Sequence, residues 1–172
     1  MAIFRRIPKI QQILPVYGLI VLLVYGWTIY WFAWNIPSWL GFISLKDIFS
    51  ILAYSFITNF LESIAVLGLL IVLGMILPES WLRGDFIVIG GFAVLYFLAF
   101  TMFLLATFVY LPQLGKPVAA AFLLFIIVQY VIKRLRLARV LIETLADRSV
   151  IFLYILVPAT ILRLIVVFFR NI

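Results

Sequence analysis

The sequence predicts an all-α polytopic membrane bundle of about five transmembrane helices, N-terminus cytoplasmic, with a short amphipathic cytoplasmic helix between spans four and five. Three observations lead there. The chain is 68% apolar, with a mean hydropathy of +1.33. Its apolar residues fall into long blocks separated by brief polar breaks. Charged residues make up only 11%, too few to coat a water-soluble surface. Divided this way, 172 residues leave no stretch long enough for a separate aqueous core, so 1–172 reads as one membrane domain.

The first span is expected at 13–35. Arg5, Arg6 and Lys9 followed by an apolar run look like a secretory leader, but the run is too long and no small-residue cleavage site follows, so the segment reads as an uncleaved span. Pro8 and Pro15 bracket its start, and Trp27, Tyr30, Trp31 and Trp34 form an aromatic belt at its far end. Residues 35–47 (NIPSWLGFISLKD) are too apolar for a free aqueous loop, so Trp39 and Phe42 are expected along the interface.

The second span, 48–77, is longer than the roughly 30 Å hydrocarbon core requires and must tilt, kink or begin among headgroups. Pro78 ends it. The brief PESWLRGD break forces 86–111 to return antiparallel, and PQLGKP reverses the chain again into a fourth span at 117–133.

Residues 133–148 (KRLRLARVLIETLADR) carry Arg136, Arg139, Glu143 and Asp147 on one helical side and Leu137, Ala138, Leu141 and Leu145 on another. That pattern predicts an amphipathic helix, either continuing span four or lying on the membrane. Lys133, Arg134, Arg136 and Arg139 are the candidate contacts to anionic lipid headgroups. The plainer reading, a flank that merely fixes orientation, is preferred. A last span at 149–169 contains Pro158, where a kink is expected, and Arg163. The same two residues would suit a re-entrant hairpin, which would leave four full spans.

Charge supplies orientation. With 13 Lys and Arg against 6 Asp and Glu, nucleic acid is a conceivable partner, but the basic residues sit mostly at span ends. Alternating spans put Arg5, Arg6, Lys9, Arg83, Lys133, Arg134, Arg136, Arg139 and Arg148 on one face and only Lys46, Lys116 and Arg170 on the other. The positive-inside bias then makes the first face cytoplasmic, in a cell membrane whose lipid is the main partner, with no nucleic acid.

Cysteine and histidine are both absent. Disulfides, thiolate metal sites, imidazole haem or zinc ligation, and Ser–His or HExxH hydrolysis all need one or the other. No cofactor, no metal and no catalytic residues are expected, and the chain does not read as an enzyme.

Polar residues inside the spans are few. Asn59 and Glu62 lie three residues apart in span two, and Arg163 is the one basic residue similarly placed. Counting residues along each span puts Glu62 and Arg163 at matching depth, so they are expected to pair, with Asn59 alongside, as structural glue. Gln129 sits near the end of span four and is expected to bond a neighbour or a headgroup. The hydroxyls of Ser55, Thr58, Ser63, Thr101, Thr107 and Thr160 can bond carbonyls of their own helices. Gly68, Gly74, Gly90, Gly91 and Ala119–Ala121 are expected to permit close helix approach, and the Phe-rich third span to turn a bulky face to lipid.

Two functional readings follow. The preferred one is a non-catalytic accessory or scaffold subunit of a larger membrane complex, associating with other membrane subunits or with itself. The other is a small transporter, channel or substrate-binding subunit with its polar site at Asn59, Glu62 and Arg163.

Overall fold

A computed structural model describes residues 8–77, 85–107 and 114–170, with side chains described as far as Ile165. Every described element is helical: α1 (Ile10–Trp39), α2 (Leu45–Ile76), α3 (Phe86–Thr107), α4 (Gly115–Arg134) and α5 (Arg136–Arg170). All five are long and apolar enough to cross a membrane. Arg5, Arg6, Glu79, Arg83 and the last four residues of the expected third span lie outside the described residues.

Local chemistry accounts for the ends. At the start of α1 the Lys9 N–H donates to the Gln12 side chain. Ser44 caps α2, its hydroxyl oxygen accepting the Asp47 N–H at 3.3 Å and donating to the Asp47 carboxylate at 2.6 Å. Leu77 leaves α2 in an extended conformation, as the residue before a proline prefers. Pro117 falls in the first turn of α4, where its missing N–H has no helical partner to lose.

Residues 35–47 are mostly helix rather than a separate connecting segment. α1 continues to Trp39, a turn follows, and α2 begins at Leu45. Trp39 rests edge-on against Trp31 and Phe32, while Phe42 is exposed.

The contacts fix the relative directions. Tyr17 meets Ser63 and Tyr25 meets Phe56, so α1 and α2 are antiparallel. Gly18 meets Ser149 and Tyr25 meets Thr160, so α1 and α5 are parallel. Tyr96 donates to the Ala121 carbonyl at 2.9 Å, and Val88 packs with Ile132 in one apolar cluster, so α3 and α4 are antiparallel. An up-down alternation of five helices satisfies all three.

α1 is the axis. It packs on α2, α3 and α5, and buries Val16, Leu19, Ile20, Val21 and Tyr25 completely. The sharpest approach is at Gly18, where an added Cβ would lie 2.8 Å from the Ser149 carbonyl carbon and 2.8 Å from the Val150 nitrogen. Only glycine lets the two backbones come this close. At Gly91 an added Cβ would meet Ile142 at 3.1 Å and Leu19 at 3.2 Å, which holds α3 against both helices. Gly68, expected at a contact, has nothing within 4 Å of that position.

At α5 one expectation is corrected and one alternative is set aside. Residues 133–148 are not a separate amphipathic helix: α4 ends at Arg134, Leu135 alone is non-helical, and Arg136 opens a continuous helix of 35 residues. The reason is local, since no glycine or proline interrupts 136–157. The buried Ala146 and Ser149 seat this stretch in the bundle, Ser149 opposite Gly18. At 1.5 Å per residue α5 is about 52 Å long, and its first turns, the foot of α5, pack beside the start of α3 at Asp85 and Gly91. Nor is the end of the chain a re-entrant hairpin. α5 passes through Pro158 as one helix, a lost hydrogen bond that membrane helices tolerate.

Candidate functional site

Three helices bring polar groups together inside the bundle. α1 supplies Tyr25 and Thr28, α2 supplies Asn59 and the Phe56 carbonyl, and α5 supplies Thr160 and Arg163. The Tyr25 hydroxyl lies 3.0 Å from Thr160 Oγ1 and 3.3 Å from the Phe56 carbonyl oxygen. Thr160 donates to the Leu156 carbonyl at 2.8 Å, which leaves its oxygen free to accept from Tyr25. Thr28 Oγ1 reaches Asn59 Oδ1 at 3.1 Å. A fourth contact, Tyr17 to Ser63 at 3.3 Å, ties α1 to α2 further along.

Arg163 is not paired with Glu62. Its guanidinium lies over the Phe56 ring, 4.9 Å from the centroid, a cation–π contact. An ion pair does form between Arg139 and Asp85, at 2.7 Å. Helix geometry explains the failed pairing. Glu62 is six residues beyond Phe56, and at about 100° per residue it points roughly 120° away from the side of α2 that carries Arg163. Depth was misjudged as well, since six residues at 1.5 Å each put Glu62 about 9 Å along α2 from the ring that Arg163 covers.

Among the described residues two buried side-chain nitrogens are left without a hydrogen-bond partner, Asn59 Nδ2 and Arg163 Nη1. Both are donors, so what the interface lacks is an acceptor. Glu62, the acceptor the sequence places nearby, is exposed and lines an open groove of about 780 Å³ instead. Asn59, Ser55 and Thr58 share that groove from α2, Trp27, Thr28, Tyr30, Trp31 and Trp34 wall it from α1, and Leu105 and Ala106 close it from the last turn of α3. Asn59 therefore belongs to both places, its Oδ1 held by Thr28 in the interface and its side chain forming part of the groove.

A second concave surface lies at the opposite end, in the elbow between α4 and α5. Its volume is about 460 Å³, and Lys133, Arg134, Arg136 and Arg139 line it with Val140 and Glu143. Arg134 hydrogen-bonds and stacks on Tyr130, and Arg139 holds Asp85 from the start of α3. Lys9, at the start of α1, lies towards this same end because α1 and α5 run parallel.

Gln129 is buried on the packed side of α4 and is bonded there. Ser55, Thr58, Ser63, Thr101, Thr107 and Thr160 all donate to carbonyls of their own helices, as their positions predict. Tyr25 and Thr28 escaped the sequence reading. The available signal was Tyr17 and Tyr25 in the middle of an apolar block, well before the aromatic belt, where a phenol needs a partner. No family model, curated protein or solved structure matches this chain.

Proposed function

We propose that this chain is a non-catalytic accessory or scaffold subunit of a larger membrane complex, spanning the cell membrane with the N-terminal end of α1 on the cytoplasmic side. The observation that carries the subunit reading is α4. Only 11% of its most apolar stretch is buried by the chain itself, the same share as in α5, but α5 seats against α1 whereas α4 meets mainly α3 and α5, and Phe122, Leu123, Leu124, Ile126, Ile127 and Val131 stand exposed along it. A helix tied in mainly through one face offers the rest to a neighbour by van der Waals packing. Gentle extraction followed by native mass spectrometry tests this: a stoichiometric partner or a defined homo-oligomer supports it, and a lone monomer overturns it.

Orientation rests on the basic end. Lys9, Lys133, Arg134, Arg136, Arg139 and Arg148 gather where cytoplasmic anionic headgroups would lie, and the elbow they line suits phosphate oxygens. Because the chain has no cysteine, a single Leu137→Cys variant carries one thiol. An impermeant maleimide should miss it in intact cells and label it after lysis.

A second reading, a small transporter, channel or substrate-binding subunit, is favoured by the groove at Glu62 and by the unpartnered donors Asn59 Nδ2 and Arg163 Nη1.

A further inference from the structure

The groove at the aromatic end has a definite chemistry. Among the described residues Glu62 is the one charged side chain lining it, which makes that wall negative, and a carboxylate set in an apolar span is costly unless a cation meets it. The walls are Trp27, Tyr30, Trp31 and Trp34, whose ring faces attract positive charge. Asn59, only 5% exposed, contributes a buried amide N–H with no acceptor, its oxygen already taken by Thr28.

We infer that this groove holds the headgroup of an amine-bearing phospholipid, of the ethanolamine type. The inference rests on the binding-subunit reading and names its ligand. In this arrangement the ammonium sits against Glu62 and the indole faces, and a phosphate oxygen accepts from the Asn59 amide once that buried side chain turns from the interface into the groove it lines. Asn59 and Glu62 are neighbours on one helix face, with about 5–6 Å between Cβ atoms, which suits a ligand whose cation and acceptor are separated by a two-carbon spacer. Acyl chains would leave along the exposed apolar surface of α2, where Leu61, Ile64 and Leu69 face outward. An anionic lipid would set its charge against Glu62; its complement is the basic elbow at the other end.

The test is a tryptophan-fluorescence titration of the full chain in detergent. The probes are a short-chain ethanolamine phospholipid, a glycerol phospholipid with the same acyl chains, and free phosphoethanolamine. The expected result is saturable binding of the ethanolamine lipid about tenfold tighter than the glycerol lipid, and weaker still for the free headgroup. Glu62→Gln should abolish the preference without changing helicity or melting, since Glu62 is exposed and unpaired, whereas Arg139→Gln should leave the preference intact. Equal affinity for the two lipids, or a preference that survives Glu62→Gln, overturns the amine assignment while leaving a binding groove. Free phosphoethanolamine binding as tightly as the lipid overturns the lipid assignment. No saturable response to any probe removes both the assignment and the reading beneath it.

Discussion

α1 and α4 have the same mean hydropathy over their most apolar stretches, 1.9, yet 44% of that stretch is buried in α1 and 11% in α4. Hydropathy reports that both helices prefer oil to water, and lipid and protein interior are equally good oil. What separates them is shape and hydrogen bonding. α1 has Gly18, which admits another backbone, and Tyr17, Tyr25 and Thr28, whose hydroxyls reach partners on other helices. α4 is held through Ala121, Gln129, Ile132 and a few stacked rings, such as Phe125 on Phe92. In a bilayer, association follows small residues and polar contacts, so the helix that has them becomes the axis.

The strongest way to break this contrast is to fill the backbone contact. Gly18→Val should cost about 3 kcal/mol, at the top of the overpacking range, because the Ser149 backbone cannot yield as a side chain would. Gly68→Ala, placed in open space, should leave stability unchanged or slightly raised. Denaturant titration in mixed micelles followed by circular dichroism reads both, and equal losses would contradict the assigned α1–α5 contact.

Next in size is the hydroxyl network. Tyr25→Phe removes a group shared between α2 and α5 and should cost about 1 kcal/mol, within the range for interhelical bonds in membranes. In a double-mutant cycle with Thr160→Val the two losses should be less than additive. Strict additivity would show that the two side chains act independently.

At the polar end, Asp85→Asn should cost about 0.5 kcal/mol and lose its effect in high salt, since Arg139 and Asp85 are 37% and 44% exposed. The smallest effect on the isolated chain is expected at α4. Leu123→Ala should shift its stability by less than about 0.5 kcal/mol, because its side chain is 65% exposed. The same change should weaken recovery of a partner if α4 is the docking helix. A large loss in the isolated chain would mean that α4 packs inward.

Much of the architecture was readable from order and composition. Blocks of apolar residues bounded by Pro78 and by the basic run at Lys133 predict the described ends of α1 to α4 within a few residues, because a spanning helix must at least cover the hydrocarbon thickness, whereas α5 begins 13 residues before the expected last span. The foot of α5 was misread as a separate helix because amphipathicity says which face is polar without saying whether the helix continues. Its neighbours, Asp85 and Gly91 on α3 and Gly18 on α1, lie more than 45 residues away in sequence. At the site, Asn59, Glu62 and Arg163 stood out as polar residues in apolar spans. The partners of Asn59 and Arg163 did not, since Thr28 and Phe56 reach them only across helix interfaces.

The chain's order alone specified a five-helix membrane molecule with most of its basic residues towards one end and four of its five tryptophans, Trp27, Trp31, Trp34 and Trp39, towards the other, because oil-water partition and headgroup chemistry act on each segment separately. Which helix lies at the centre, that Arg163 faces a phenyl ring rather than a carboxylate, and that Glu62 opens into a groove were decided only by packing. Rotation of a helix about its own axis is free in lipid until another helix stops it, and the stops are contacts between residues far apart along the chain.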